Sequence, residues 1–101
     1  MADTPYYSLE EIKALLKNPD TRIVTRRDRK EAADLGYPDD DAMVERVMKV
    51  TLDEFKKQME SELIPGTWQD VYNSPEPSGI KLYIKLQIRD GAGVIISFKR
   101  K

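Results

Sequence analysis

Residues Lys81–Arg89 read KLYIKLQIR, and the order of those nine letters decides the fold. Leu82, Ile84, Leu86 and Ile88 take every second position, with Lys81, Tyr83, Lys85, Gln87 and Arg89 between them. A period of two marks a strand with one apolar and one solvated face, the habit of an antiparallel sheet. Downstream, Asp90-Gly91-Ala92-Gly93 predicts a turn. Val94–Lys99, VIISFK, then predicts a second strand in which Val94, Ile96 and Phe98 alternate with Ile95, Ser97 and Lys99. Upstream, Thr67–Tyr72, TWQDVY, reads as another strand, and Asn73–Gly79, NSPEPSG, as a hairpin-type loop too rich in proline to be strand. If the last two strands are neighbours, Lys99 shares a layer with Tyr83 and Lys85. Outward lysines and tyrosines are also ordinary on exposed strands, and a lysine near a chain end often guards a sheet edge.

The first half reads as helix. Ser8-Leu9-Glu10-Glu11 is a capping box, and Leu9, Ile12, Leu15 and Leu16 follow on one helical face until Asn18-Pro19. Thr21–Thr25, TRIVT, is a short β-branched run, a strand or an extended lead-in. Thr25 predicts an N-cap for a helix through Lys30 and Ala33, stopped at Gly36. Pro38 and Asp39–Asp41 open a further helix, buried through Met43, Val44, Val47 and Met48. Thr51-Leu52-Asp53-Glu54 is a second capping box, predicting a helix with Leu52, Phe55 and Met59 inward until Pro65-Gly66. Helices first and a β-meander last give an α+β layout: N-terminal helices packed on a C-terminal antiparallel sheet, in one domain over residues 1–101.

Composition narrows the chemistry. The chain has 101 residues, 35% of them charged and 40% apolar, with no apolar run near the roughly 20 residues of a membrane helix. Its opening, MADTPYYSLEE, is acidic and lacks an apolar signal region, so a cytoplasmic protein is expected. The absence of cysteine removes disulfides and thiolate metal sites. The absence of histidine removes the Ser-His-Asp triad, His acid–base pairs and the usual zinc ligands. An enzyme built from this chain works with carboxylates, Lys, Arg, Tyr or an oxygen-held metal. The net charge is −1, not the basic balance typical of a nucleic-acid binder. Basic residues nevertheless gather at Arg22–Lys30 and again at Lys81, Lys85, Arg89 and Lys99–Lys101, and such patches steer a polyanion whatever the total.

Individual residues say less. Gln69, between Trp68 and Asp70, could bond a phosphate or base, or a neighbouring backbone group. Trp68, the sole tryptophan, reads as packing rather than base stacking. Asp39–Asp41 lacks the spacing and glycine of a calcium loop and reads as helix capping, so no metal site is expected there. On the predicted helix Lys57 lies about 200° from Phe55, opposite the apolar stripe, where pattern gives it no claim. No Gly-rich phosphate loop or nucleotide fingerprint occurs. A cationic, Tyr-bearing sheet face without histidine fits RNA cleavage better than most chemistries.

WQDVY, then YIKLQI, then ISFK at the C-terminus resemble the MqsR family of bacterial toxins, the motility quorum-sensing regulator type of mRNA interferase, whose fold is similar to RelE-type toxins. The resemblance is dense over Thr67–Lys101. It continues more loosely through YSLEEIKALL, the Arg-rich helix, ADLGY and TLDEFKKQM, and so spans nearly the whole chain. It implies an RNA-cleaving site at Lys57, Gln69, Tyr83 and Lys99, with Lys81, Lys85 and Arg100 as further RNA contacts and no cofactor. The implied reaction is metal-independent cleavage of single-stranded mRNA through the 2′-OH, leaving a 2′,3′-cyclic phosphate and a 5′-OH. The implied partner is an MqsA-like antitoxin that joins a zinc-binding domain to a helix-turn-helix domain and alone carries the operator contacts. RelE-like folds also include toxins of DNA gyrase and inactive members that only bind an antitoxin, so the fold alone leaves those readings open.

Overall fold

The computed structural model describes residues 4–101; the first three residues of the acidic opening stretch lie outside it. Three helices, α1 (Leu9–Lys17), α2 (Arg26–Asp34) and α3 (Asp40–Val47), precede most of a five-stranded sheet. The strands are β1 (Arg22–Val24), β2 (Phe55–Glu60), β3 (Trp68–Pro75), β4 (Lys81–Arg89) and β5 (Ala92–Arg100), in spatial order β1-β5-β4-β3-β2. The α+β reading holds, with the helices N-terminal. Two helix starts follow their caps: Ser8 Oγ accepts from the Glu11 amide, and Asp39 Oδ1 from the Ala42 amide, while Thr25 stands at the N-cap of α2 without a side-chain cap bond.

One face of the sheet carries the core. Tyr72, Leu82, Ile84, Leu86, Ile95 and Phe98 meet Ile12 and Leu16 of α1, Ala32 of α2 and Met43, Val44 and Val47 of α3. Each large apolar side chain fully buried here stabilises by about 1.5–3 kcal/mol. Helix α1 lies so close to β5 that a Cβ on Gly93 would come within 3.1 Å of the Ile12 carbonyl oxygen and of Leu15. Strands β4 and β5 join through Asp90 and Gly91, both at positive φ (53° and 77°), as a two-residue hairpin turn requires.

Four expectations are corrected. The predicted helix after Thr51 is a single 3₁₀ turn, Leu52–Glu54, after which the chain becomes strand β2. The cap exists, since Glu54 Oε1 accepts from the Thr51 amide, but pairing with β3 and the edge-on packing of Phe55 against Tyr72 override the local helical preference. Strand β3 runs on through Asn73, Ser74 and Pro75. Pairing with β2 stops at Phe55↔Tyr72, so beyond that point β3 is a local edge that tolerates proline. There Ser74 Oγ accepts from Arg46 Nη2 and donates to Glu54 Oε1, both at 2.7 Å. The sheet is not wholly antiparallel: β1 pairs parallel with β5. Finally, β5 does not alternate throughout. Ile95 rather than Ile96 shares the core with Phe98, because the register slips between Leu86↔Ile95 and Lys85↔Ser97.

Candidate active site

Side chains of a strand alternate between faces, and residues paired across strands share one. Asn73 pairs with Tyr83, and Tyr83 with Lys99. Lys57 pairs with Val71, Val71 with Lys85, and Lys85 with Ser97. Met59 pairs with Gln69, which follows Asn73 and Val71 at every second position of β3. Lys57, Gln69, Tyr83, Lys85 and Lys99 therefore stand on one face, opposite the helix-packed core. Lys81 lies on the same face at the end of β4. Arg100 does not: its partner is Leu82, on the core-facing alternation, where it is exposed at the strand end.

Two bulges bring the lysines there. In β2 the register slips between Phe55 and Lys57, so Phe55 faces the core with Tyr72 while Lys57 faces away. Regular alternation would put residues two apart on the same side. In β5 the slip at Ile96 separates Val94, on the open face opposite Gln87, from Phe98, in the core opposite Ile84. Ser97 and Lys99 reach the open face only because of that slip. Bulges re-aim side chains in this way and gather beside active sites.

The surroundings are cationic. Lys85 Nζ lies 5.7 Å and Lys99 Nζ 5.4 Å from the centre of the Tyr83 ring. Val71 is fully buried between its register partners Lys57 and Lys85. Among the described residues, none of Lys57, Lys85 and Lys99 has a carboxylate within ion-pair distance. Burial pushes the Tyr83 phenol above its ordinary value, so it keeps its proton. Lys85 is half-buried, and its affinity for a proton is lowered, first by burial and then by Lys99, Arg27 and Lys57, with Glu62 opposing.

Beside these residues the face deepens into two hollows of about 310 and 290 Å³ that share Arg27, Ser61, Leu63, Gln69 and Ile96 as walls. Thr25, Ile64, Gln87 and Arg89 complete one; Met59, Glu62 and Lys85 complete the other. Gln87 donates to the Trp68 carbonyl at 3.1 Å, and its own amide oxygen has no partner among the described residues. Arg27 comes from the first turn of α2, far from the strands in sequence; only its place in the Arg22–Lys30 run hinted at it. A larger hollow of about 480 Å³ lies between the N-terminal segment and α1. Its Lys13 ammonium donates to the Val50 carbonyl.

The remaining sequence candidates take structural roles. Asp39 caps α3, Asp40 makes a two-bond pair with Arg29, and Asp41 pairs with Arg22. Trp68 stacks on Tyr6, while both oxygens of its neighbour Asp70 accept backbone amides, those of Tyr6 and Tyr7. These contacts tie the N-terminal segment to the sheet.

Residues 4–100 match the family model described as motility quorum-sensing regulator, toxin of MqsA. The chain belongs to this family. It is thus a toxin of a toxin–antitoxin system, with an antitoxin of the MqsA kind as its partner. A search of curated proteins finds no match. No helix among the described residues is long and apolar enough to cross a membrane.

Proposed function

We propose that this toxin is an endoribonuclease that cuts single-stranded mRNA on the open face of its sheet, stopping translation and growth. The observation that carries the reading is a set of three lysines on one sheet face, Lys85 and Lys99 over the Tyr83 ring and Lys57 beside Lys85, without carboxylate partners among the described residues, in a chain of net charge −1. Such a cluster repels itself unless an anion occupies it, and a phosphodiester is the anion whose cleavage needs these groups. The RNA's own 2′-OH attacks the adjacent phosphorus. The products are a 2′,3′-cyclic phosphate and a 5′-OH end.

Lys57 and Lys99 hold the phosphate and stabilise the charge that grows on it. Tyr83, which keeps its phenolic proton, donates it to the departing 5′-oxygen. Gln69, 8% exposed at the floor of the hollows, orients the phosphate. Lys81 extends the cationic track along the strand. The hollow between Arg27, Leu63 and Gln87 takes a neighbouring base. No step calls for a metal or cofactor. The antitoxin joins a zinc-binding domain to a helix-turn-helix domain, so operator DNA is reached only through it, and toxin and antitoxin act in the cytoplasm.

Expression of the toxin without its antitoxin tests the reading. Growth arrest with rapid loss of full-length mRNA is expected. Arrest with a DNA-damage response and intact mRNA would mark a toxin of a target such as DNA gyrase. Normal growth with stable, folded protein would mark an inactive antitoxin-binding relative, the reading that the slight acidity of the chain favours.

A further inference from the structure

The proposed reaction needs an acceptor for the 2′-OH proton, and the four residues placed at the reacting phosphate do not provide one. Gln69 has no proton affinity to offer. Tyr83 is held protonated by burial. Lys57 and Lys99 are exposed and already hold the phosphate. We propose that Lys85 is the general base, the group that takes the 2′-OH proton as the nucleophile attacks. The assignment rests on the nuclease reading and adds a catalytic role to a residue otherwise counted among RNA contacts.

Placement carries the argument. Lys85 sits on β4, one of the two central strands of the site, paired with Val71 on one side and Ser97 on the other. It stands two residues from Tyr83 on the same face, and its ammonium shares the Tyr83 ring with that of Lys99. It also lines the hollow formed with Gln69 and Arg27. Four charges act on it: Lys57 from β2, Lys99 from β5, Arg27 from α2, and Glu62 from the loop after β2. Three are cations and one is an anion. Half-burial and the three like charges disfavour the ammonium, and Glu62 only partly offsets them. A base and an acid whose proton affinities are pushed in opposite directions stand side by side, the arrangement acid–base catalysis requires.

The proton count closes. Lys85 Nζ accepts the 2′-OH proton as the 2′-oxygen–phosphorus bond forms and the bond from phosphorus to the 5′-oxygen breaks. The 5′-oxygen takes the Tyr83 proton. The Lys85 ammonium then returns a proton to the Tyr83 phenolate, and both groups are restored without an outside reagent.

The test is single-turnover cleavage of a single-stranded RNA across pH by wild type, Lys85→Arg and Lys85→Cys alkylated with bromoethylamine. The chain has no native cysteine, so the alkylation addresses position 85 alone. Lys85→Arg keeps the positive charge but cannot shed a proton. The proposal expects it to bind RNA as wild type does and to cut at least ~100-fold more slowly. Alkylated Lys85→Cys restores an amine of lower basicity, and is expected to recover cleavage with the rising limb of the pH profile moved to lower pH. If Lys85→Arg cuts at near wild-type rate, or if the limb does not move, Lys85 only contacts phosphate and the assignment falls while the nuclease reading stands. If wild type cuts no RNA at any pH, the nuclease reading falls and takes the assignment with it.

Discussion

Strands β3 and β4 differ from β2 and β5 in one respect that matters for the site. The central pair is in continuous register from Asp70↔Leu86 to Pro75↔Lys81, and each flanking strand carries a one-residue slip. The central strands deliver Gln69, Tyr83 and Lys85 by plain alternation. The flanking strands deliver Lys57 and Lys99 only through their bulges. An apolar anchor, Phe55 or Ile95, can thus stay in the core while a lysine an even number of residues away on the same strand reaches the opposite face. The rigid middle of the sheet positions the tyrosine and the proposed base, and the two irregular strands bring cations to it from either side.

The comparison can be broken at the chain level. Deleting Ile84 from β4 should be the most damaging change. A one-residue loss in an unbroken strand moves every following side chain to the wrong face, exposing Leu86 and burying Arg89. Loss of the folded state is expected in circular dichroism. Deleting Lys56, the extra residue of the β2 bulge, should do the opposite. It restores regular pairing with Phe55 still opposite Tyr72 and Lys57 still opposite Val71, so the variant should fold and cut RNA within about 10-fold of wild type. A Lys56 deletion as harmful as that of Ile84 would show that bulge geometry, and not merely facing, is needed.

Side-chain changes sharpen the picture. Tyr83→Phe should lower cleavage at least ~100-fold if the hydroxyl transfers a proton, with no change in melting; unchanged rates would remove Tyr83 from that role. Gly93→Val should cost about 1–3 kcal/mol in denaturant unfolding, because the new side chain meets the α1 backbone. The smallest effect should come from pH. Burial holds the Asp70 carboxyl above its ordinary range despite the Tyr7 and Tyr6 amides that bond it. A carboxyl whose proton affinity is higher in the folded state adds stability that is complete below its unfolded value and fades as pH rises through the folded one. The stability of wild type relative to Asp70→Asn should therefore fall over the weakly acidic range, by less than ~2 kcal/mol. A rise there would mean that the two amide bonds outweigh burial.

How much was legible follows the same division. The alternation of KLYIKLQIR gave the face of Tyr83 and Lys85 directly, because β4 obeys its period throughout. Lys57 reads as helical in the sequence and lies on strand β2 in the structure. Phe55 and Met59 are four apart, a spacing that suits one helix face, and Thr51–Glu54 carries a genuine cap. Nothing local announces that one turn later the chain will pair with β3. The resemblance to the MqsR family named Lys57 where pattern could not. The parallel β1–β5 pair and the approach of Arg27 depend on contacts about 30 to 70 residues apart, which no local period encodes. Arg100 looked equivalent to Lys99 in sequence, and strand alternation separates them.

The central claim is that the open face of the sheet cleaves RNA. The most direct measurement incubates the purified, antitoxin-free toxin with a long single-stranded RNA in EDTA, beside a Lys57→Ala/Tyr83→Phe double variant, and maps the new ends. Discrete cuts leaving 5′-OH ends, absent with the folded double variant, are the predicted result. Intact RNA with folded wild type, or the same cuts from the double variant, would contradict the account.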